Sequence, residues 1–309
     1  MEKLYSIFRL IRPKTLLWFC VSTCYGFASV ILNEAPPFHF IFLVLTIVLA
    51  NIGAIIVNDI GDIEVDKKSS ELLKRNRPLV TGAISIKEAK ALAILFYLLS
   101  LFTSLFYGFS ATIFAIVVIL FSLSYSLPPF KFSSRPYSSI LYWVVLCSVC
   151  YFLMLFALEN INNGFDLTFN CKTCKSNQGF IFITSIIFFM GIAEIISKDL
   201  RDLINDAEGG RNTYVNFVGV EIAAKVLILF AWFGFILWME ALYLSGAFPY
   251  SIAAWLCLAV GFIWCLKIHI HSIKLMKEFH QPTATKLHIQ WTYAYALMQV
   301  LTYSVFYFK

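Results

Sequence analysis

"NDIGDIEVD", Asn58 to Asp66, sets three aspartates within eight residues directly behind a hydrophobic run. Its surroundings make it exceptional. Of the 309 residues, 60% are hydrophobic and only 14% are charged, too little polar surface to wrap a soluble core of this size. The chain therefore reads as a polytopic membrane protein. About 20 apolar residues cross a hydrocarbon core of about 30 Å. On that measure nine segments qualify: 15–33, 38–57, 86–107, 109–127, 137–158, 178–197, 221–244, 249–267 and 288–307. They are continuously apolar and do not alternate with period two, which favours helices over a barrel. The expected fold is an all-α membrane protein, with nine transmembrane helices around a central cavity open to the cytoplasmic side.

Orientation follows from the basic residues. With the N-terminus inside, the inner side collects Lys3, Arg9, Arg12, Lys14, seven residues between Lys67 and Lys90, Lys131, Arg135, Lys198, Arg201, Arg211 and the lysines at 225, 267, 274, 277 and 286. Lys172, Lys175 and Lys309 remain outside. This positive-inside asymmetry puts the N-terminus and both Asp-rich loops in the cytoplasm. The opening "MEKLYSIFRLIRPKTLLWF" has no small-residue cleavage site, so it reads as an anchored helix and not a removable signal. The net charge of +6 suits membrane lipid headgroups or anionic substrates, with no nucleic acid partner. No linker or composition shift divides residues 1–309, which read as one domain. Six cysteines fall inside the spans, whereas Cys171 and Cys174 form a C-x-x-C in an outer loop, open to a disulfide or half a metal site.

The acidic stretch has a counterpart. The chain contains seven aspartates, three at 59, 62 and 66 and three at 199, 202 and 206 in "KDLRDLINDAEGGRNT". Both triplets follow D-x2-D-x3-D, a spacing that aligns all three carboxylates on one helical face. Each begins where a hydrophobic segment ends. One such triplet would pass for a solvated helix end, but two on the same membrane face call for a shared ligand. Clustered carboxylates repel, and divalent metal relieves them; hard oxygen ligands with positions left for phosphate oxygens suit Mg²⁺. Two Mg²⁺ ions offset only part of six carboxylates, and a diphosphate adds further negative charge. Nearby cations are available in Lys67, Lys68, Arg75, Arg77, Lys198, Arg201 and Arg211, and in the loop "YSLPPFKFSSRP" with Tyr125, Lys131 and Arg135. Together they form the elements of a phosphate clamp.

These motifs resemble the UbiA superfamily of intramembrane prenyltransferases. "NDIGDIEVD" matches N-D-x-x-D-x-x-x-D, "RPLVTGAIS" the R-P-x-x-x-G-x-[IL]-S that follows it, and "YSLPPFK" the Y-S-x-P-P-x-[RK]. "KDLRDLINDAEGGRNT" matches the second acidic motif, and "IRPKT" fits weakly near the N-terminus. The resemblance implies that Asn58, Asp62, Asp66, Asp199, Asp202 and Asp206, with help from Asp59, hold Mg²⁺ on an isoprenyl diphosphate. Asp62, Asp66, Asp199 and Asp206 are the expected catalytic acids. It further implies diphosphate contacts from Arg77, Tyr125, Lys131 and Lys198, and a lipophilic acceptor, an aromatic ring or a lipid glycerol ether. Two departures stand out: "KKSSELLKRN" lengthens the path from Asp66 to Arg77, and "YVNFVG" follows the second motif. Two alternatives stay open, phosphoribosyl transfer to a prenyl phosphate and an ion-coupled transporter. Glu194 reads as facing a polar cavity or supporting the acids from behind. His269, His271, His280 and His288 flank the last inner loop, and H-x-H on a helix points to different faces, which disfavours metal ligation.

Overall fold

From the N-terminus, the computed structural model runs through α1 (Glu2–Ile11), α2 (Pro37–Lys68), the single turn α3 (Leu72–Arg75), α4 (Ile86–Tyr107) and α5 (Phe109–Ser126). A 3₁₀ turn (Phe132–Ser134) follows, then α6 (Ala193–Glu208), the short α7 (Tyr214–Val218), α8 (Val220–Leu244), α9 (Ile252–Lys277) and α10 (Gln281–Tyr307). The structure describes residues 2–13, 16, 37–107, 109–138, 140–141, 192–244 and 251–307. Among these residues every regular element is helical. Four helices among the described residues are long and apolar enough to cross a membrane: Val44–Lys68, Ile86–Phe106, Val220–Leu244 and Ile252–Lys277.

The expected segments 86–107, 109–127 and 221–244 coincide with α4, α5 and α8 to within one residue. Three others need correction at their polar ends. The segment 38–57 belongs to a helix that continues to Lys68, 249–267 to one that starts at Ile252 and continues to Lys277, and 288–307 to one that begins at Gln281. Hydropathy marks where lipid contact stops, whereas backbone hydrogen bonding carries a helix onward as long as its polar residues find partners. The expected segment 15–33, most of 137–158 and 178–197, and the Cys171/Cys174 pair lie outside the described residues.

Helix α4 turns many of its large apolar side chains outward. On α4, Ile94, Leu95, Leu98, Phe102 and Leu105 are exposed, while Ala89, Ala93, Ser100 and Ser104 are buried. Thr46 and Thr103 hydroxyls pair at 2.9 Å, and Ser100 donates to the Thr46 carbonyl at 2.8 Å across the α2–α4 contact. Small and hydroxylated residues inside with bulky apolar residues outside is the pattern of helices packed in lipid.

Two core clusters result. One joins α1, α2 and α4 through Leu10, Ile52, Ile56, Ile84 and Tyr97. The other joins α6, α8, α9 and α10 through Ile196, Leu200, Leu227, Trp238 and Trp291. Each contains the helix that carries one aspartate triplet. Helices α2 and α6 meet between the clusters and end level with one another: the Ser69 hydroxyl pairs with Asn205, and the Ser70 amide donates to Glu208 at 3.0 Å. Gly209 permits this approach, because a Cβ there would lie 2.3 Å from Val65 Cγ1.

Candidate active site

The last turns of α2 carry Asn58, Asp59, Asp62 and Asp66, and α6 carries Asp199, Asp202 and Asp206. All six aspartates are buried, between 2% and 7% exposed. That disposes of the solvated-helix-end reading, since a buried carboxylate needs compensating charge.

Among the described residues, six basic residues supply compensation. Arg12 pairs with Asp59. Arg77 pairs with Asp66 and lies 3.4 Å from Asp59. Lys74 Nζ reaches Asp202 at 3.3 Å, and Arg201 forks onto the same carboxylate at 3.0 and 2.6 Å. Lys198 sits beside Tyr125 and within the field of Asp199, Asp202 and Asp206. The decisive contact is Arg211, which pairs with Asp62 of α2 and lies 3.4 Å from Asp206 of α6. One guanidinium thus touches both triplets.

Burial and charge divide the second triplet. Burial pushes Asp206 up to about 7 and Asp199 up to about 6, only partly opposed by the Lys198 ammonium. Asp202 is just as deeply placed, yet Arg201 and Lys74 outweigh its burial and hold it well below the usual carboxylate range. Lys198 is raised, first by Tyr125 and then by the three aspartates, against the effect of its burial. Burial lowers Arg211 to about 10, so it stays cationic at neutral pH.

The loop after α5 is seated directly on the first acidic helix. Lys131, in the left-handed region at φ 39°, donates from Nζ to the Gly61 carbonyl at 2.8 Å. Gly61 is required there: an added Cβ would fall 2.3 Å from the Ser126 carbonyl oxygen. Of the residues expected to contact a diphosphate, Arg77 lies on Asp59 and Asp66, Lys198 lies beside Tyr125 in the field of the second triplet, and Lys131 lies on the backbone between Asp59 and Asp62. Other cations pair elsewhere. Lys67 pairs at the surface with Glu64 at 2.8 Å, and Arg135 lies over the Phe132 ring and donates to Pro129 at 3.3 Å.

Arg12, Lys74, Ser69 and Glu71 lay beyond the residues singled out in the sequence for the site, and Arg211 was singled out there without its bridging role. Arg12 stands in "IRPKT", where only a weak motif match marked it. Arg211 was one cation among several, and nothing in its spacing marks it as the bridge. Lys74, Ser69 and Glu71 occupy the lengthened "KKSSELLKRN" segment, which crosses to α6 through Asp202 and Asn205. The length of that segment was its only signal. Glu194 lies one turn before Lys198 with Oε2 buried and unpartnered. The histidines have separate neighbours: His269 receives the Trp232 indole N–H at 3.4 Å, His271 contacts the Lys267 carbonyl, His280 contacts Thr283, and His288 contacts Ser197 at 3.0 Å.

The donor set suits a hard divalent cation: oxygen-only side chains from two helices, among them a buried Asp199 Oδ2 without a hydrogen-bond partner. Among the described residues no three carboxylates gather tightly enough to form a finished cage; each aspartate instead has a basic residue near it.

Residues 16–307 match the model of the UbiA prenyltransferase family. The chain belongs to this family. Like its UbiA relatives it is a prenyltransferase and an integral membrane protein. It is 24% identical over 248 residues to the digeranylgeranylglyceryl phosphate synthase of Sulfurisphaera tokodaii, covering 78% of this chain and 82% of that enzyme. Over 221 residues it is 28% identical to the chloroplastic 2-acylphloroglucinol 4-prenyltransferase of Humulus lupulus, covering 68% of this chain and 50% of that one. A UbiA homologue from Archaeoglobus fulgidus, solved bound to GPP and Mg²⁺, shares the fold with a TM-score of 0.68 at 21% identity, over 97% of this chain and 99% of the other.

Proposed function

We propose that this UbiA protein transfers an isoprenyl group from a prenyl diphosphate to a lipophilic acceptor within the membrane, in a Mg²⁺-dependent reaction. The acceptor is an aromatic ring or a lipid glycerol ether, the two classes named among its relatives. One observation carries the reading: Arg211 lies against Asp62 and Asp206 together, so both acidic faces border one space.

Asn58, Asp59, Asp62 and Asp66 on one side and Asp199, Asp202 and Asp206 on the other would hold Mg²⁺. When bound, the metal supplies charge neutralisation for a departing diphosphate. The protein's own groups supply the rest. Arg77, Tyr125, Lys131 and Lys198 bind and orient the diphosphate oxygens, which favours heterolysis of the allylic C–O bond and leaves an electron-poor prenyl carbon. The acceptor attacks that carbon, and the surrounding apolar helices keep water from it. The wider architecture in this reading is one domain over residues 1–309. Nine spans surround a central cavity open to the cytoplasm, with the N-terminus and both Asp-rich loops on that side.

The test is direct. Purified protein given Mg²⁺, a radiolabelled prenyl diphosphate and host lipid extract should release diphosphate and form a labelled lipid product. Failure to do either contradicts the assignment. Product formation only when phosphoribosyl diphosphate and a prenyl phosphate are supplied would move the protein to that alternative chemistry.

A further inference from the structure

Helix α1, "EKLYSIFRLI", divides its apolar residues between two adjoining stripes. Ile7, Leu10 and Ile11 pack into the cluster of α2 and α4, with Leu10 fully buried. Leu4, Tyr5 and Phe8, spaced i, i+1 and i+4 on the neighbouring face, are 73%, 64% and 57% exposed. Such a face has to be covered by something apolar.

The height of α1 in the fold identifies what covers it. Three tethers fix it. Lys3 pairs with Glu88, in the first turn of the membrane-crossing α4. Arg9 Nη2 donates to the Asn76 carbonyl at 2.6 Å, in the loop that returns from α2. Arg12, in the left-handed region at φ 52°, turns its guanidinium onto Asp59 in the last turns of α2. So α1 lies at the level where α2 leaves the bilayer and α4 enters it. At 10 residues it is about 15 Å long, far too short to span. An amphipathic helix at that depth, with Tyr and Phe on its open face and Lys and Arg beside it, has the makeup of an interfacial helix.

We propose that α1 lies in the membrane interface, with Leu4, Tyr5 and Phe8 in the headgroup–acyl boundary of the bilayer the protein spans. This seat braces the first acidic face. Arg12 acts on Asp59 directly, and Arg9 holds the carbonyl of the residue immediately before Arg77, the second cation on Asp59 and the partner of Asp66. The location rests on membrane integration alone; an effect on turnover would rest also on the prenyl-transfer reading.

The experiment uses full-length protein in lipid nanodiscs, with the native cysteines replaced and a spin label on Phe8→Cys or Asn76→Cys. The label at 8 should collide with dissolved oxygen far more than with a water-soluble nickel chelate. Preferential nickel access would place α1 in water, and dipolar broadening between labels would place a second copy on this face; either overturns the proposal. The label at 76 should become mobile when Leu4→Glu and Phe8→Glu are added, and unchanged mobility would overturn the bracing. In the same variant kcat/KM for the prenyl diphosphate should fall by about tenfold or more, on the scale of losing one buried apolar side chain. If the wild type shows no turnover, the catalytic reading fails while the two label measurements still decide the placement of α1.

Discussion

Replacing Arg211 by methionine tests whether the two acidic faces share one cation. Arg211, Asp62 and Asp206 have side chains only 11%, 9% and 5% exposed, so neither carboxylate can recover its charge compensation from water. Breaking a buried pair by removing one partner costs about 3–5 kcal/mol. The lower part of that range applies here, since Asp206 sits at about 7 and can shed its charge by taking a proton. Asp62 then dominates the loss. We expect Arg211→Met to lose about 3 kcal/mol in equilibrium unfolding in mixed micelles with chelator present. Adding Asp62→Asn should recover most of that loss, because the uncompensated charge disappears with it, while turnover stays abolished. An Arg211→Met protein within about 1 kcal/mol of wild type, or a double variant no more stable than the single, would refute the bridge.

Other outcomes follow from the same geometry. Asp66→Asn or Asp206→Asn should lower turnover by about a hundredfold or more, and near-wild-type rates would remove that residue from the site. Lys131→Ala should raise KM for the prenyl diphosphate, as judged by steady-state kinetics; an unchanged KM would remove it from the diphosphate contacts. Asp206 and Asp199 have folded-state values raised above those of the unfolded chain, so the folded state binds more protons between roughly pH 4 and 7. Their contribution to metal-free stability is greatest at the acidic end and is lost as pH rises through 6 and 7. Unfolding curves should therefore lose stability over that window in wild type and lose less in Asp206→Asn. Gly61→Ala should cost about 1–3 kcal/mol and impair activity, because its Cβ meets the backbone carbonyl of Ser126 and not a movable side chain.

The two aspartate triplets were legible in the sequence because ionised groups are rare in so apolar a chain, and because the repeated spacing puts each triplet on one helical face. The spans 86–107 and 221–244 were legible because charged residues stand at their starts (Lys87 and Glu88, Glu221) and helix-breaking residues follow their ends (Gly108, and Gly246 with Pro249). Where a helix carries polar residues past the lipid, as α2 does to Lys68 and α9 to Lys277, hydropathy stopped too early. The pairings could not be read at all. Arg12 with Asp59, Lys74 with Asp202 and Arg211 with Asp62 join residues far apart in the chain, and only tertiary packing selects these cations from the many basic residues near the acids. The lengthened "KKSSELLKRN" was visible as a departure from the family pattern, yet its role in strapping α2 to α6 depends on Asn205 and Glu208, which carry no motif of their own.

The most direct measurement is a structure of the full-length protein with Mg²⁺ and a prenyl thiodiphosphate that resists cleavage. Metal density about 2.0–2.1 Å from carboxylate oxygens of both α2 and α6, shared with the diphosphate, is the predicted result. Metal confined to one triplet, or a diphosphate bound away from Asp62 and Asp206, would contradict the account.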